Sequence, residues 1–256
     1  MLKTTHNAGF FSCCNVKLKD LAEYIYNNKK QPDIVNSSIQ FDWYKQNTKR
    51  DITFDYFEDY NKIDVSFNTD FNYHWKEQFS DYKKLDYKNL QPLMSKYFSP
   101  SKDIEERKRK IENKYNLDYE NTCVLFYRGN DKNTETKICE YNEYIIYADE
   151  VLKKHSNIKF LIQSDETGFI TFFQNKYPNS FFFKDEIRHM NKCNNTVDIV
   201  FKNQNYEMSK NYLCITIIMS KCKYIICGSG NCSLFIVLYR GHSDNVYQNL
   251  NNQWIS

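Results

Sequence analysis

Glycine and proline are scarce in this 256-residue chain, at six and four, while Tyr and Phe number 21 and 19. A chain so poor in turn formers and so rich in large rings excludes a disordered or low-complexity protein, because such side chains drive burial. Long hydrophobic runs are also missing. The longest, Leu234 to Tyr239 and Cys214 to Met219, are far too short to span a bilayer, and Met1 to Gly9 lacks the apolar stretch of a signal peptide. The expectation is a cytoplasmic chain with no transmembrane segment. Charge of one sign is absent as well: 35 basic and 32 acidic residues are mixed along the chain for a net +3, too weak a field to hold a nucleic acid. The basic run from Glu105 to Lys110 is interleaved with acids and reads as a solvated helix face.

Nine cysteines are present, but without a metal-binding pattern. Cys13 and Cys14 are adjacent, and Cys214, Cys222, Cys227 and Cys232 lie in apolar surroundings with no C-x-x-C pair. They read as reduced core residues of a reducing compartment, and their odd number excludes a complete intramolecular disulfide framework. A D-x-D pair of carboxylates able to hold a divalent metal is missing too, since Asp118-x-Glu120 lies in a linker-like stretch. No metal site is expected.

What is present is an α/β pattern. A 41% hydrophobic chain of this length can bury one large core or two small ones. From Asn121 onward short apolar runs alternate with amphipathic segments, as βα units of a parallel sheet do. Strands are expected at Thr122 to Tyr127, Ile158 to Gln163, Ser180 to Phe183, Tyr224 to Cys227 and Asn245 to Tyr247. Helices are expected at Glu140 to Lys154, Thr167 to Lys176, Glu207 to Ser220 and Cys232 to Arg240. In the first half, Leu2 to Thr5 reads as a strand leading through His6 to Phe11 into a helix from Lys17 to Asn27, and Pro32 ends that unit. The stretch from Ile39 to Tyr97 shows no period and predicts short irregular elements. Ser99-Pro100-Ser101 opens a capped, charged helix running to Tyr115. The resulting division is an N-terminal Rossmann-like domain with its connecting helix over 1–115, and a C-terminal Rossmann-like domain over 116–256.

Three strand ends carry candidate chemistry, since ligands of open α/β sheets sit at the carboxyl ends of strands. After the first comes Arg128-Gly129-Asn130-Asp131-Lys132. Here Arg128 presents a fork to phosphate, Asp131 can hold the guanidinium, and Gly129 allows backbone to come close; an ordinary surface salt bridge fits equally well. The second ends in Ser164-Asp165-Glu166, whose carboxylates suit ribose hydroxyls or a base donor, and equally suit a helix cap. The third, Gly228-Ser229-Gly230-Asn231, opens an apolar helix whose N–H groups can hold a diphosphate, or is simply a tight β–α turn. All three would face one crevice, and together they read as a nucleotide-diphosphate site.

The same segments carry a family resemblance. Arg128 to Lys132, Ser164-Asp165-Glu166 ahead of Lys176-Tyr177-Pro178-Asn179, and Ile226 to Asn231 ahead of Tyr239-Arg240-Gly241 resemble fucosyltransferases. The nearest group is that of α1,6-fucosyltransferases and bacterial Nod-factor fucosyltransferases, with the protein O-fucosyltransferases more distant. The resemblance spans roughly Asn121 to Gly241. It implies a GT-B fold, two Rossmann-like halves facing a cleft, with GDP-fucose as co-substrate and no cofactor.

On that resemblance Arg128 contacts the diphosphate, Asp131 and Lys132 complete its loop, Asp165 and Glu166 face the guanosine, and Ser229, Gly230 and Asn231 face the phosphates. Glu135 is similar to the acid that helps activate the acceptor in that family, one residue early. The chain departs from the pattern at Phe126, where a His often stands, at Gly129, where a second Arg stands, and near Ile215 and Thr216, where an Asp is expected. In the first β–α loop, His6 is a candidate base or acceptor contact, with Asn7 and Gly9 on the acceptor side; a lone His is more often structural. Asp42, Asp55, Asp59, Asp64, Asp70 and His74 decorate the aromatic middle and suit sugar hydroxyls or plain solvent.

The expected activity is a metal-independent, inverting transfer of fucose from GDP-fucose to a glycan or other hydroxyl acceptor, with the halves closing over the donor. The alternatives are a transferase using another nucleotide sugar and a non-catalytic nucleotide- or sugar-binding relative.

Overall fold

A computed structural model describes residues 1–46 and 48–256 of the chain. It opens with one parallel β–α–β unit: β1 (Leu2–Lys3), α1 (Phe10–Asn28) and β2 (Val35–Asn36), with Leu2 opposite Val35. Helix α1 begins at Phe10, seven residues before the expected Lys17. The buried stripe Phe10, Phe11, Cys14, Leu18, Leu21, Ala22 and Ile25 repeats at helical spacing from its first residue and carries the helix forward. Lys29 ends it in the left-handed region, at φ 54°.

Between 37 and 86 the chain forms 3₁₀ turns (Asp42–Tyr44, Tyr60–Lys62, Trp75–Phe79, Tyr82–Lys84) and one turn of helix, α2 (Thr53–Tyr56). Rings rather than regular structure hold this region together. Phe10 packs edge-on to Tyr44 and tilted against Phe41 and Tyr56, with Phe57 and Phe98 beyond. Helix α3 (Tyr87–Tyr97) was not expected, and carries Pro92 in its interior; Leu90, Leu93, Met94 and Tyr97 bury one face and stabilise it against the missing N–H. Helix α4 (Lys102–Lys114) follows, with Ser101 as N-cap accepting from the Ile104 N–H.

The C-terminal part is a six-stranded sheet built from β3 (Thr122–Tyr127), β4 (Lys159–Ser164), β5 (Ser180–Phe181), β6 (Tyr224–Gly228), β7 (Val246–Leu250) and β8 (Gln253–Ile255). Helices α5 (Tyr141–Lys154), α6 (Thr167–Lys176), α7 (Val197–Val200), α8 (Asn205–Lys221) and α9 (Asn231–Arg240) connect them. The strand order is β5-β4-β3-β6-β7-β8, parallel except for β8. Counted within this half, that is the 3-2-1-4-5-6 order of a dinucleotide-binding fold, and the order reverses between β3 and β6. All six residues of β3 are buried, as a central strand covered on both faces requires.

The extra strand β8 was not legible. It returns through Asn251 and Asn252, both left-handed at φ 50° and 64°, the hairpin geometry for which Asn-Gly is the usual signal. Eight of the nine cysteines are buried and all are free thiols. The buried side chains form one apolar cluster from Phe10 to Tyr247, running through both halves. Among the described residues no helix is long and apolar enough to cross a membrane.

Candidate functional site

A cleft of about 510 Å³ opens at the carboxyl ends of β3 and β6, where the strand order reverses. One wall is Arg128, Asp131, Lys132 and Glu135 from the loop after β3, with Ser229 to Ser233 at the start of α9. The facing wall comes from the first half: Ala8 to Ser12, Trp43, Trp75, Gln78 and Phe79.

Arg128 is the centre of the first wall. Its Nε donates to Asp165 at 2.8 Å, one terminal nitrogen to Asp131 at 3.0 Å, and the other reaches the Tyr212 hydroxyl at 3.5 Å. Burial disfavours the cation, but the Asp165, Tyr212 and Asp131 oxygens outweigh it and hold the guanidinium well above its ordinary pKa. It is a fixed, permanent charge with its side chain still partly open. Lys132 is nearly buried, 2.5 Å from Glu135 and 5.9 Å from the centre of the Phe79 ring.

The start of α9 presents the second anion-binding feature. Gly230 sits at φ 150°, a conformation open to glycine, and its N–H donates to the Tyr82 hydroxyl at 3.2 Å. The Ser229 hydroxyl donates to Asn249 and receives Gln248, so it is occupied within the fold. The Asn231 side chain is likewise taken, by Asn15 of α1 at 2.7 Å. What this turn offers to a ligand is therefore the first-turn backbone N–H groups of α9, not the side chains of Ser229 and Asn231.

The other expected residues fall into two groups. Gly9 lines the cleft, while His6 and Asn7 are not among its lining residues. His6 bonds the Ser12 hydroxyl at 2.9 Å, and its pKa is lowered by burial against the pull of Asp20. Asn7 staples the loop to Ile39 and Asp42. Asp165 does not face the large cleft. It holds Arg128 and the Gly129 N–H, and lines a small neighbouring cavity of about 50 Å³ with Arg188, Asp198 and Tyr212.

Glu166 points into the protein, bonded by Tyr141, with its other oxygen buried and unpaired among the described residues. Burial raises its pKa, opposed by the Tyr141 hydrogen bond. Gly129 is small for the sake of this carboxylate rather than of a ligand: a Cβ there would lie 2.0 Å from Glu166 Oε1. None of the middle-segment candidates lines the cleft: Asp59 and His74 cap 3₁₀ turns, Asp55 pairs with Arg50, Asp70 with Lys29, Asp42 lies 3.9 Å from Lys45, and Asp64 is exposed.

Several cleft residues carried no sequence signal. Tyr212 lies mid-helix in α8. Asp198 sits in the short α7, where Arg188 at 2.5 Å and the Tyr44 hydroxyl at 2.7 Å hold it. Trp43 and Trp75 belong to 3₁₀ turns that no periodicity announces. Among the described residues no three His, Cys, Asp or Glu side chains converge as a metal-binding group.

No protein-family model and no curated protein matches the sequence. Solved structures do match in fold. NodZ alpha-1,6-fucosyltransferase soaked with GDP-fucose superposes with a TM-score of 0.57, covering 99% of this chain and 98% of that one at 10% identity. The fucosyltransferase NodZ from Bradyrhizobium gives 0.53 over 93% and 91%, also at 10% identity. NodZ co-crystallized with GDP gives 0.51 over 93% and 90% at the same identity. The chain has the GT-B fold of these fucosyltransferases, and its N-terminal half consists of one βαβ unit and an aromatic-packed remainder.

Proposed function

We propose that this chain, built on the fold of the NodZ fucosyltransferases, is a glycosyltransferase that moves fucose from GDP-fucose to a hydroxyl acceptor. One observation carries the reading. Arg128, Lys132 and the N-terminal amides of α9 converge on one wall of a cleft whose other wall belongs to the opposite half of the molecule. Two cations and a helix N-terminus suit a diphosphate, and the facing wall leaves room for a second substrate.

In the proposed step the acceptor oxygen attacks the anomeric carbon with inversion. The bond from that carbon to the phosphate oxygen breaks, its electron pair leaves on GDP, and the acceptor proton passes to the Glu135 carboxylate. Charge gathering on the departing diphosphate meets Arg128, Lys132 and the helix amides, so protein groups supply the electrostatic stabilisation and the reading is of a metal-independent transfer. Glu135 is the better base candidate than His6, because it lines the cleft and His6 reaches it only through Ser12.

Calorimetric titration with GDP and GDP-fucose, with and without EDTA, tests the donor, with UDP and UDP-glucose as controls. Selective, EDTA-insensitive binding of the guanosine compounds is expected. Binding of uridine compounds alone, or of none, overturns the proposal. Arg128→Ala is expected to lower transfer by roughly 10²–10³-fold, and near wild-type turnover in that variant would rule the mechanism out.

A further inference from the structure

Two carboxyl groups follow one another at the end of β4, and the fold treats them oppositely. Asp165 commits both oxygens to the loop after β3, taking the Arg128 Nε at 2.8 Å and the Gly129 N–H at 3.1 Å. Glu166 is fully buried and lines no part of the cleft. Its Oε2 accepts from the Tyr141 hydroxyl, and its Oε1 has no hydrogen-bond partner among the described residues. That unpaired oxygen lies against Gly129, so close that a Cβ added there would stand 2.0 Å from it.

The groups that enclose the Glu166 carboxyl do not supply a counter-ion. Strand β3 brings Tyr127 and the Arg128 already held by Asp165, α5 brings Tyr141, and Asp165 itself adds a like charge. From the segment before α7, Lys192 attracts the carboxyl from an exposed position, and His189 reaches it only through the Thr167 hydroxyl, 2.8 Å away. Burial lowers the pKa of His189, which keeps that ring neutral. A buried carboxylate with one hydrogen bond and no ion pair is far more costly than a neutral carboxyl in the same place.

The consequence reaches the anion site through one residue. Ionisation of Glu166 puts a second negative charge behind Gly129, next to the guanidinium that has to meet a diphosphate. We infer that Glu166 is a positioning residue, a neutral acid that seats the loop from Arg128 to Lys132 for a diphosphate and, once ionised, opposes its binding. The inference rests on the reading of the cleft as a diphosphate site. Burial makes folded Glu166 a weaker acid than it is in the unfolded chain. Its contribution to stability is therefore present at low pH and lost as pH rises through the folded pKa, above the ordinary 4.5. Diphosphate affinity falls over the same interval, and by reciprocity GDP binding draws a proton onto Glu166.

The test is calorimetric titration of the full chain with GDP from about pH 5 to 8, in paired buffers of different ionisation enthalpy, against Glu166→Gln and Tyr141→Phe. Using the Gln variant as reference removes the titration of the GDP phosphate and of His189. Relative to it, wild-type affinity is expected to fall about fivefold or more across the range, with extra proton uptake on binding. Tyr141→Phe deletes the hydrogen bond that favours the ionised form and should displace the fall to higher pH. Parallel affinity curves with equal proton uptake in wild type and Glu166→Gln overturn the inference, as does a displacement to lower pH in Tyr141→Phe. Should Glu166→Gln not fold, the direction of the Tyr141→Phe displacement decides alone. If the wild type takes no GDP at any pH, the transferase reading fails instead, and urea unfolding decides on Glu166. Wild-type stability must then decline with pH more steeply than that of Glu166→Gln and at lower pH than in Tyr141→Phe, and coincident curves overturn the inference.

Discussion

At the scale of single residues, the two most revealing positions lie outside the cleft wall. Lys17 is a buried cation in α1, with the Thr53 hydroxyl 3.5 Å from its Nζ. Burial pushes its pKa down to about 8 from 10.5, against the attraction of Asp51. Below pH 8 it is charged in both folded and unfolded chains, and the folded state carries the full desolvation cost. As pH rises from 8 towards 10.5 the folded lysine loses its proton first and that cost fades, so stability gains with pH across this window. Lys17→Met is expected to stabilise the protein at pH 7 by roughly 1–3 kcal/mol. The gain should shrink by pH 10 in paired denaturant titrations; a pH-independent difference would argue against a buried charge.

Gly129 is the second position. A methyl group there would meet Glu166 Cδ and Tyr127 Cε1 at 2.4 Å, closer than any real contact. Gly129→Ala is expected to cost about 1–3 kcal/mol, measured by thermal or urea unfolding. Because the Gly129 N–H donates to the same Asp165 that holds Arg128, GDP affinity should fall with it. The resemblance placed a departure at this residue; the packing shows what the glycine accommodates.

At the scale of elements, the parts of the fold legible in the sequence were those with a period. Helix α6 and strand β3 have the bounds expected of them, and α5, α9 and β6 differ by a residue. Strand β4 and helices α4 and α8 lie within two residues of the expected ends, and the elements that were missed have identifiable reasons. Helix α3 contains Pro92, which reads as a breaker, and α1 begins at a Phe-Phe pair that looked like loop. Strands β2 and β8 have two and three residues, too few to show alternation. The candidate site followed the same division: Arg128, Asp131 and Lys132 sit at the end of a legible strand, whereas Trp43, Trp75 and Gln78 lie on 3₁₀ turns whose position depends on distant packing.

That packing passes through α1. Asn15 donates to the Trp75 carbonyl and to Asn231 of α9, and accepts from Tyr73 at 2.7 Å. Asn15→Ala would leave the buried Tyr73 hydroxyl unpaired and is expected to destabilise by roughly 1–3 kcal/mol. Unchanged unfolding midpoints in this variant would show that the network contributes little.

At the scale of the whole molecule, the halves facing the cleft share one apolar cluster, and α1 and α3 both pack against α9. Calorimetry is expected to show a single unfolding transition, raised as a unit by saturating GDP, because a ligand that binds only the folded state shifts the whole equilibrium. Two separable transitions, with only the later one moved by GDP, would mean that the halves fold independently.

The Asn15 bridge also bears on how this sequence can drift. Each residue of an α-helix turns the next by about 100°, so one residue inserted or deleted between Asn15 and the buried stripe Leu18, Leu21, Ala22 and Ile25 would swing the amide away from both Trp75 and Asn231. The loop from Lys3 to Gly9 can change length without that penalty. Homologues that keep this cleft should therefore change length more readily in the loop before α1 than between Asn15 and Ile25, where the count of residues is fixed.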